Sequence, residues 1–300
     1  MKKWILLLAL SFFIIIIPAI QIFAQNLKNS ITISPVVSNI TLNKGEHYIS
    51  SIYVTNNSNT PQKIDITVSA FKEQGTTNHP QFSQKINAES TSRKWILIQK
   101  YAILYPFKNT KIPYTINVPA NASPGGHYLS IMVQRSSNTT HNKIIQSLGS
   151  LIILTVNGRL ISTGFIKNFS ATKNIYFNNP INFNLKFSNT GNVQYAPFGF
   201  ITVKNIFGNT VLVTPINQKR SLTLKNSTRL YTKTIDIHNI LDQIGLFNVT
   251  LNLTYGINGH FVNTQTSSTF YYFNYIYLII LLLIVVFIIL YIIKRKHNKK

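Results

Sequence analysis

The chain has 300 residues, of which 29 are basic and six acidic, so its formal net charge is +23, and it contains no cysteine. Without cysteine, a disulfide framework and a cysteine nucleophile are both excluded, and each domain must be held together by its own apolar core. The excess of positive charge favours polyanionic partners, although lysine is abundant along the whole chain.

The first residues are typical of a secretory signal. Two lysines near the start are followed by a long apolar run and then by a segment that ends at Ala24. This pattern predicts a signal peptide over residues 1–24, cleaved between Ala24 and Gln25. Ile22 is larger than the residue usual at its position, so an uncleaved signal anchor is the alternative.

Residues 25–157 are predicted to form a first β-sandwich domain. Apolar and polar residues alternate strictly in 63–70 and in 111–118, which is the pattern of strands with one buried and one wet face. About seven such strands, separated by turn residues, fit the spacing of an immunoglobulin-like sandwich. The polar segment 72–92 is predicted to be a long loop, with a loop that carries a short edge strand as the alternative, and 144–156 to supply a closing strand or a pair of strands.

Residues 158–272 are predicted to form a second β-sandwich domain after a hinge at Asn157-Gly158. The segments 181–188 and 247–255 alternate in the same way, and Gly208-Asn209 suits a tight hairpin turn. No segment between the two apolar ends of the chain shows a sustained helical repeat of apolar residues. Helix is therefore expected to be scarce outside those ends.

A faint internal repeat links the two predicted domains. An alternating strand runs into Asn56-Asn57-Ser58 in the first domain and into Asn189-Thr190-Gly191 in the second, and a proline follows each. Two related modules in tandem are the simplest interpretation, and generic strand-turn chemistry is the alternative. The predicted fold class is all-β, with two tandem immunoglobulin-like antiparallel β-sandwich domains, an N-terminal signal helix and one C-terminal transmembrane helix.

A second long apolar segment lies near the C-terminus. Residues 275–293 contain no charge, glycine or proline, and a helix of that length, at about 1.5 Å per residue, just spans a hydrocarbon core of about 30 Å. We predict a transmembrane helix over 273–293 and, from the positive-inside bias, a cytoplasmic basic tail over 294–300. The protein would then be a single-pass protein of the cell membrane, with its N-terminus and both sandwiches outside the cell.

Residues that could carry catalysis are sparse. A glycosidase needs a pair of carboxylates, and the acids lie scattered among lysines at Glu46, Asp65, Glu73, Glu89, Asp236 and Asp242. Glu46 and Glu73 are expected to be solvated partners of Lys44 and Lys72. The histidines show no metal-ligand spacing, and the sequence has no nucleophile elbow or phosphate loop. We predict no catalytic residue, cofactor or metal site and no specific nucleic-acid binding, and we expect Trp95 to be a core residue.

The motifs of the first domain resemble the N-terminal module of bacterial WxL-interacting surface proteins. In that family a strand runs into an Asn-rich turn, and a Trp-led strand and a V-P-x-x-A-x-P-G-G-x-Y segment follow; here these are residues 54–61, 94–97 and 118–128. The resemblance implies non-enzymatic binding, by the first domain to peptidoglycan and by the second to a partner surface, and it assigns no ligand-contacting residue. The first domain also resembles the pilus chaperones, which are soluble and periplasmic.

These observations favour a membrane-anchored cell-envelope protein without enzymatic activity. In this hypothesis it binds or scaffolds a cell-wall polymer, either peptidoglycan or an anionic wall polymer, together with surface proteins. The first alternative is an envelope assembly chaperone or secretion component that acts by β-strand augmentation. The second alternative is a carbohydrate-active enzyme. Neither the ligand nor the oligomeric state follows from the sequence.

Overall fold

The computed structural model describes residues 31–73, 75–76, 79–83, 88–136, 145–239 and 244–297. The predicted signal peptide, with its cleavage site at Ala24 and Gln25, lies outside the described residues. Parts of the predicted loop 72–92 and of the tail 294–300 lie outside them as well.

Strands dominate the described chain, as predicted. They are β1 (Ile31–Ser34), β2 (Val37–Leu42), β3 (His47–Asn56), β4 (Gln62–Glu73), β5 (Pro80–Ser83), β6 (Ile96–Ile98), β7 (Tyr101–Leu104), β8 (Asn109–Asn117), β9 (Gly125–Ser136), β10 (Ile145–Val156), β11 (Gly164–Ala171), β12 (Ile175–Tyr176), β13 (Ile181–Asn189), β14 (Phe198–Lys204), β15 (Thr210–Ile216), β16 (Ser227–Ile235), β17 (Ile244–Ile257) and β18 (His260–Phe273). A 3₁₀ helix covers Ala88–Trp95, and one long helix, α1, covers Tyr275–His297.

The described residues form two compact units. The first contains the described residues up to 71, together with 82–123 and 127–157. The second contains the described residues of 72–81, 124–126 and 158–297. Each unit is described by itself below.

Each set of strands forms a pair of sheets. The strands before residue 158 form a four-stranded sheet in the order β1-β3-β8-β6 and a larger sheet in the order β2-β10-β9-β4-β5, in which β7 also pairs with β4. The later strands form a three-stranded sheet, β11-β13-β16, and a five-stranded sheet, β12-β18-β17-β14-β15. Two sandwiches in tandem confirm the predicted fold class.

The alternating segments supply the two cores. In β4 the residues Ile64 and Ile66 are buried while Lys63 and Asp65 are exposed, as period-two alternation requires for a strand with one buried face. The first core includes Ile52, Val54, Leu104, Ile112, Leu129, Ile131, Ile152 and Leu154. The second is richer in aromatic rings and includes Phe169, Tyr176, Phe183, Phe187, Tyr195, Phe247, Tyr255 and Phe270. Apolar burial of this extent holds both sandwiches without disulfides.

The structure refines two predicted segments. The predicted closing strand or pair at 144–156 is one strand of 12 residues, β10. The predicted loop at 72–92 carries the short strand β5 and the start of the 3₁₀ helix. Trp95, at the end of that helix, is partly buried against the first core and lies 4.6 Å from the His127 ring, centroid to centroid.

A buried asparagine fixes the end of β3. The Asn56 side chain is completely buried. Its Oδ1 accepts hydrogen bonds from the backbone N–H and the hydroxyl of Ser58, at 2.9 and 2.6 Å. Its Nδ2 donates to the carbonyl oxygens of Thr60, at 2.8 Å, and of Leu104, at 3.0 Å. Because Leu104 ends β7, the side chain ties together the two sheets of the first sandwich.

The second sandwich has the same arrangement at the end of β13. Asn189 is 1% exposed, and its Oδ1 accepts from the N–H of Gly191 at 2.8 Å. Its Nδ2 donates to the carbonyl oxygens of Val193, at 2.8 Å, and Thr223, at 3.1 Å. The repeat seen in the sequence therefore corresponds to one hydrogen-bond pattern used twice. In each case the asparagine side chain accepts from the backbone N–H two residues later, donates to the carbonyl four residues later, and donates to a carbonyl distant in the chain.

The helix α1 begins at Tyr275, slightly later than predicted, because β18 continues to Phe273. Asn274 caps the helix: its Oδ1 accepts from the N–H of Ile276 at 2.9 Å, as a residue at this position commonly does. The most apolar 18-residue window within Tyr275–Arg295 has a mean hydropathy of 3.5 and is not buried against the rest of the protein. By length and composition this helix is able to cross a membrane.

We expect the substitution Asn56→Asp to destabilise the first sandwich by about 2–4 kcal/mol at neutral pH, because an ionised carboxylate cannot donate to the two carbonyl oxygens. Burial would raise the pKa of the introduced carboxyl above its unfolded value. Stability should therefore be higher at low pH, where the protonated form can donate one bond, and should fall as the pH rises. Urea unfolding followed by the fluorescence of Trp95 measures this.

The matched control is Asn57→Asp, which introduces the same charge at the exposed neighbouring residue. It should leave the unfolding midpoint within about 0.5 kcal/mol of the parent. Equal effects of the two substitutions would contradict the role given to Asn56.

Candidate strand-docking edge

The strand β2 covers only half of β10. The two strands run parallel, and Val37 to Leu42 pair in register with Leu151 to Val156. No described strand pairs with residues 145–150 on the same side of β10. The first half of this long strand therefore presents an open edge of the larger sheet, which we call the β10 edge.

The backbone groups that face this edge follow from the register. The N–H of Leu151 donates to the carbonyl of Val36 at 2.8 Å, and the N–H of Asn157 donates to Leu42 at 2.9 Å. Because successive residues of a strand direct their N–H and C=O groups to alternate sides, Ser147 and Gly149 direct theirs to the same side as Leu151. Each of the two therefore presents one donor and one acceptor at the open edge.

The crossing of the first strand between sheets leaves this edge open. Residues Ile31 to Ser34 pair with β3 in the four-stranded sheet, and from Val37 the chain pairs with β10 in the other sheet. The crossing at Pro35 is fixed to β10 by the hydroxyl of Ser150, which donates to the Pro35 carbonyl at 2.6 Å. Only beyond that point does β2 run beside β10.

The side chains of the β10 edge leave its backbone accessible. Leu148 packs against the first core and Ser150 is buried, whereas Ser147 is exposed. Gly149 carries no side chain, and a Cβ there would lie 2.9 Å from Met132 Sδ. The glycine therefore lets β10 lie close to Met132 and adds nothing that would shield the open N–H and C=O groups.

The β10 edge lacks the devices that usually protect sheet edges, namely very short strands, prolines, bulges and inward or edge charges. Its sequence, Ile-Gln-Ser-Leu-Gly-Ser, contains neither proline nor charge. The other edge strands of the described sheets are short, contain proline, or carry a bulge or basic residues, as in β1, β5, β6, β11, β12, β15 and β16. Only β2, which continues the same edge, shares this lack.

The structure corrects the expectation for two of the acids. Glu46 accepts hydrogen bonds from the backbone and side-chain amides of Asn43, at 2.7 and 3.0 Å. Glu73, predicted to be solvated beside Lys72, has a side chain only 3% exposed. Within the second unit it accepts from the Ser227 hydroxyl at 2.7 Å and lies 3.6 Å from Arg229. Burial raises the pKa of Glu73, while the Ser227 hydrogen bond and Arg229 oppose that rise.

The other predicted residues do not converge on a reaction centre. His127 is 9% exposed, and its Nε2 lies 2.9 Å from the carbonyl oxygen of Ser123. Among the described residues, no three His, Asp or Glu side chains are grouped so that they could hold a metal ion. Asp242 lies outside the described residues. No ligand-binding residue was predicted from the sequence, and the β10 edge was not predicted either.

The comparisons with known proteins give likeness of shape only. No protein-family model and no curated protein matches the chain. A chain from a chaperone–tip adhesin complex of CFA/I fimbriae is 15% identical with a TM-score of 0.40, over 79% of this chain and 98% of the other. The Escherichia coli chaperone DraB is 12% identical with a TM-score of 0.36, over 80% and 97%.

A human protein shows a comparable likeness. A PapD-like domain of human CEP192 is 12% identical with a TM-score of 0.31, over 44% of this chain and 88% of the other. Likeness at this level carries no conclusion about function.

In the unbound protein, the amides of Ser147 and Gly149 should exchange with solvent deuterium at least about tenfold faster than those of Ile153 and Thr155, whose N–H groups face β2. Residue-resolved hydrogen exchange measures this. The Leu148 amide faces the neighbouring strand β9 and serves as the internal control, because it should be protected. Uniform protection from 147 to 155 would show that the edge is already covered.

Proposed function

We propose that this protein binds an extended segment of another exported protein by adding it as a strand along the β10 edge. It would act as a membrane-anchored envelope chaperone or assembly factor, without enzymatic activity. The observation that carries the proposal is the unprotected edge of Ser147 and Gly149, which offers two donors and two acceptors in strand geometry. Main-chain hydrogen bonds of this kind supply affinity in β-augmentation.

Side-chain packing supports the same function. Leu148 faces the interior of the sandwich and is only partly buried, so the core beside the β10 edge is not fully covered. An added strand with apolar residues at alternate positions would cover Leu148, and each apolar side chain buried in this way contributes about 1.5–3 kcal/mol. The chemistry of the partner is therefore an extended, alternating segment of low charge.

The helix α1 suits an anchor for such a function. Its apolar surface is exposed along its whole length, which in water would be costly and in lipid is favourable. Its C-terminal end carries Lys294, Arg295 and Lys296, and the positive-inside bias supports a cytoplasmic tail with the sandwiches outside. An anchored binding protein would hold its client at the membrane surface, close to the point of export.

Wall-polymer binding stays a prediction of the family resemblance. The motif segment 118–128 that carries the resemblance contains Val118 and Ala122, which are core residues, and Tyr128, which is also buried. Conserving these residues would serve packing, so the motif by itself does not favour a polymer site over a protein site. The open edge is a specific observation that favours a protein partner.

The test compares Ser147→Pro with Ser147→Ala in the full-length protein held in neutral detergent. Proline removes the N–H that faces the open edge and places its ring there, whereas alanine keeps the backbone. Overlapping peptides that tile the organism's exported proteins serve as ligands. For every peptide that binds, Ser147→Pro should weaken binding at least about tenfold and Ser147→Ala less than about threefold.

Two controls separate failure of the proposal from failure of the fold. Trp95 fluorescence and protection of the Ile153 amide show that Ser147→Pro remains folded. Binding should also protect the amides of Ser147 and Gly149 from exchange. Peptides that bind both variants equally, or binding without that protection, would contradict the proposal. Pairing of two copies through the same edge would appear as dimers that Ser147→Pro dissociates.

A further inference from the structure

A cleft in the second unit collects basic side chains at the open side of its sandwich. Its volume is about 320 Å³, and its lining includes Asn217, Lys219, Arg229, Tyr231 and Lys233. The cleft lies between β15, the edge of the five-stranded sheet, and β16, the edge of the three-stranded sheet. This volume is at the low end of the range of ligand sites, about 300–1,000 Å³.

The strand β16 brings polar residues to a face that should be apolar. Tyr231 and Ile235 are buried on its core side. By strand alternation Arg229 and Lys233 lie on that same side, and both are partly exposed. A lysine on the core side of a strand is costly unless its ammonium group reaches water or a partner. The cleft provides that opening for Lys233.

A braced turn supplies the second lysine. Asn217 accepts from the N–H of Ser221 at 2.8 Å, and its Nδ2 donates to the carbonyl oxygens of Ser221, at 2.9 Å, and Pro197, at 2.6 Å. The guanidinium of Arg220 lies 3.5 Å from the centroid of the Phe198 ring. The backbone from Asn217 to Ser221 is therefore fixed, and it holds Lys219 at the cleft.

Two other polar side chains of the cleft are bonded within the protein, although the buried Nε of Arg229 has no hydrogen-bond partner among the described residues. Arg229 donates to the carbonyl of Leu222 and pairs with Glu73, both within the second unit. The Tyr231 hydroxyl is hydrogen-bonded to Thr223 at 2.6 Å, and burial raises the pKa of Tyr231, so that it stays neutral. Among the described residues, neither Lys219 nor Lys233 forms an ion pair with a carboxylate.

We propose that this cleft binds phosphate groups of a soluble phosphate-bearing polymer through Lys219 and Lys233. Lys219 and Lys233 line the same cleft, and each ammonium group can pair with a phosphate, because lysine acts as a compact point charge. No described carboxylate lines the cleft, and the 22 basic against six acidic residues of 25–293 attract such a ligand. This site is in the second unit and does not depend on strand binding at the β10 edge.

The test measures the affinity of the full-length protein, in neutral detergent, for inorganic tripolyphosphate and for a soluble poly(glycerol phosphate). The double substitution Lys219→Gln/Lys233→Gln should weaken both about five- to tenfold. The control Lys167→Gln/Lys186→Gln removes the same charge from exposed positions of the second unit outside the cleft. It should change both affinities less than about twofold, and the difference between variants should shrink as salt is raised.

Two results would overturn the proposal. Equal losses of affinity in the two double variants would show that binding depends on the overall charge of the protein and not on the cleft. Unchanged affinity together with new self-association of Lys219→Gln/Lys233→Gln would show that the lysines only protect a sheet edge from pairing. Circular dichroism of each variant confirms that the sandwiches remain folded.

Discussion

The proposed strand binding depends on the crossing of the first strand from one sheet to the other at Pro35. Ile31 to Ser34 pair with β3 in the four-stranded sheet, so β2 begins only at Val37 and pairs with β10 only from Leu151 onward. This crossing leaves the backbone of Ser147 and Gly149 open and Leu148 partly exposed. The proposed binding of an extended segment depends on both. A first strand that ran wholly beside β10 would close the edge.

An open edge is tolerable only on a sandwich that is stable without it. This chain has no disulfide to supply that stability, so the two cores and the buried asparagines carry it. Asn56 and Asn189 each satisfy backbone groups at a strand end and join distant parts of one sandwich. Both amides donate two hydrogen bonds and accept at the same time, which aspartate, serine or leucine cannot reproduce. The two cores and the two asparagines therefore supply the stability, and the β10 edge stays open for the proposed strand binding.

Much of the fold could be predicted from the sequence, because alternation in segments such as 63–70 and 247–255 reports directly which face of a strand is buried. The repeat around Asn56 and Asn189 could also be recognised in the sequence, although their contacts with Leu104 and Thr223 could not. The candidate sites were hidden for a physical reason. Whether Ser147 is paired depends on where β2 begins, and whether Lys233 faces a cleft depends on the neighbouring turn. Both are properties of tertiary pairing. The burial of Glu73 was missed for the same reason.

The most direct test of strand addition uses the absence of cysteine in the chain. A single thiol introduced by Ser147→Cys, carrying a photo-activated cross-linker, reports what lies beside the β10 edge in living cells. The account predicts cross-links to extended segments with alternating apolar residues in exported proteins. The same label at Thr67→Cys, an exposed position on β4 of the same sheet, should give few. Equal cross-linking from both positions, or none from position 147, would contradict the account.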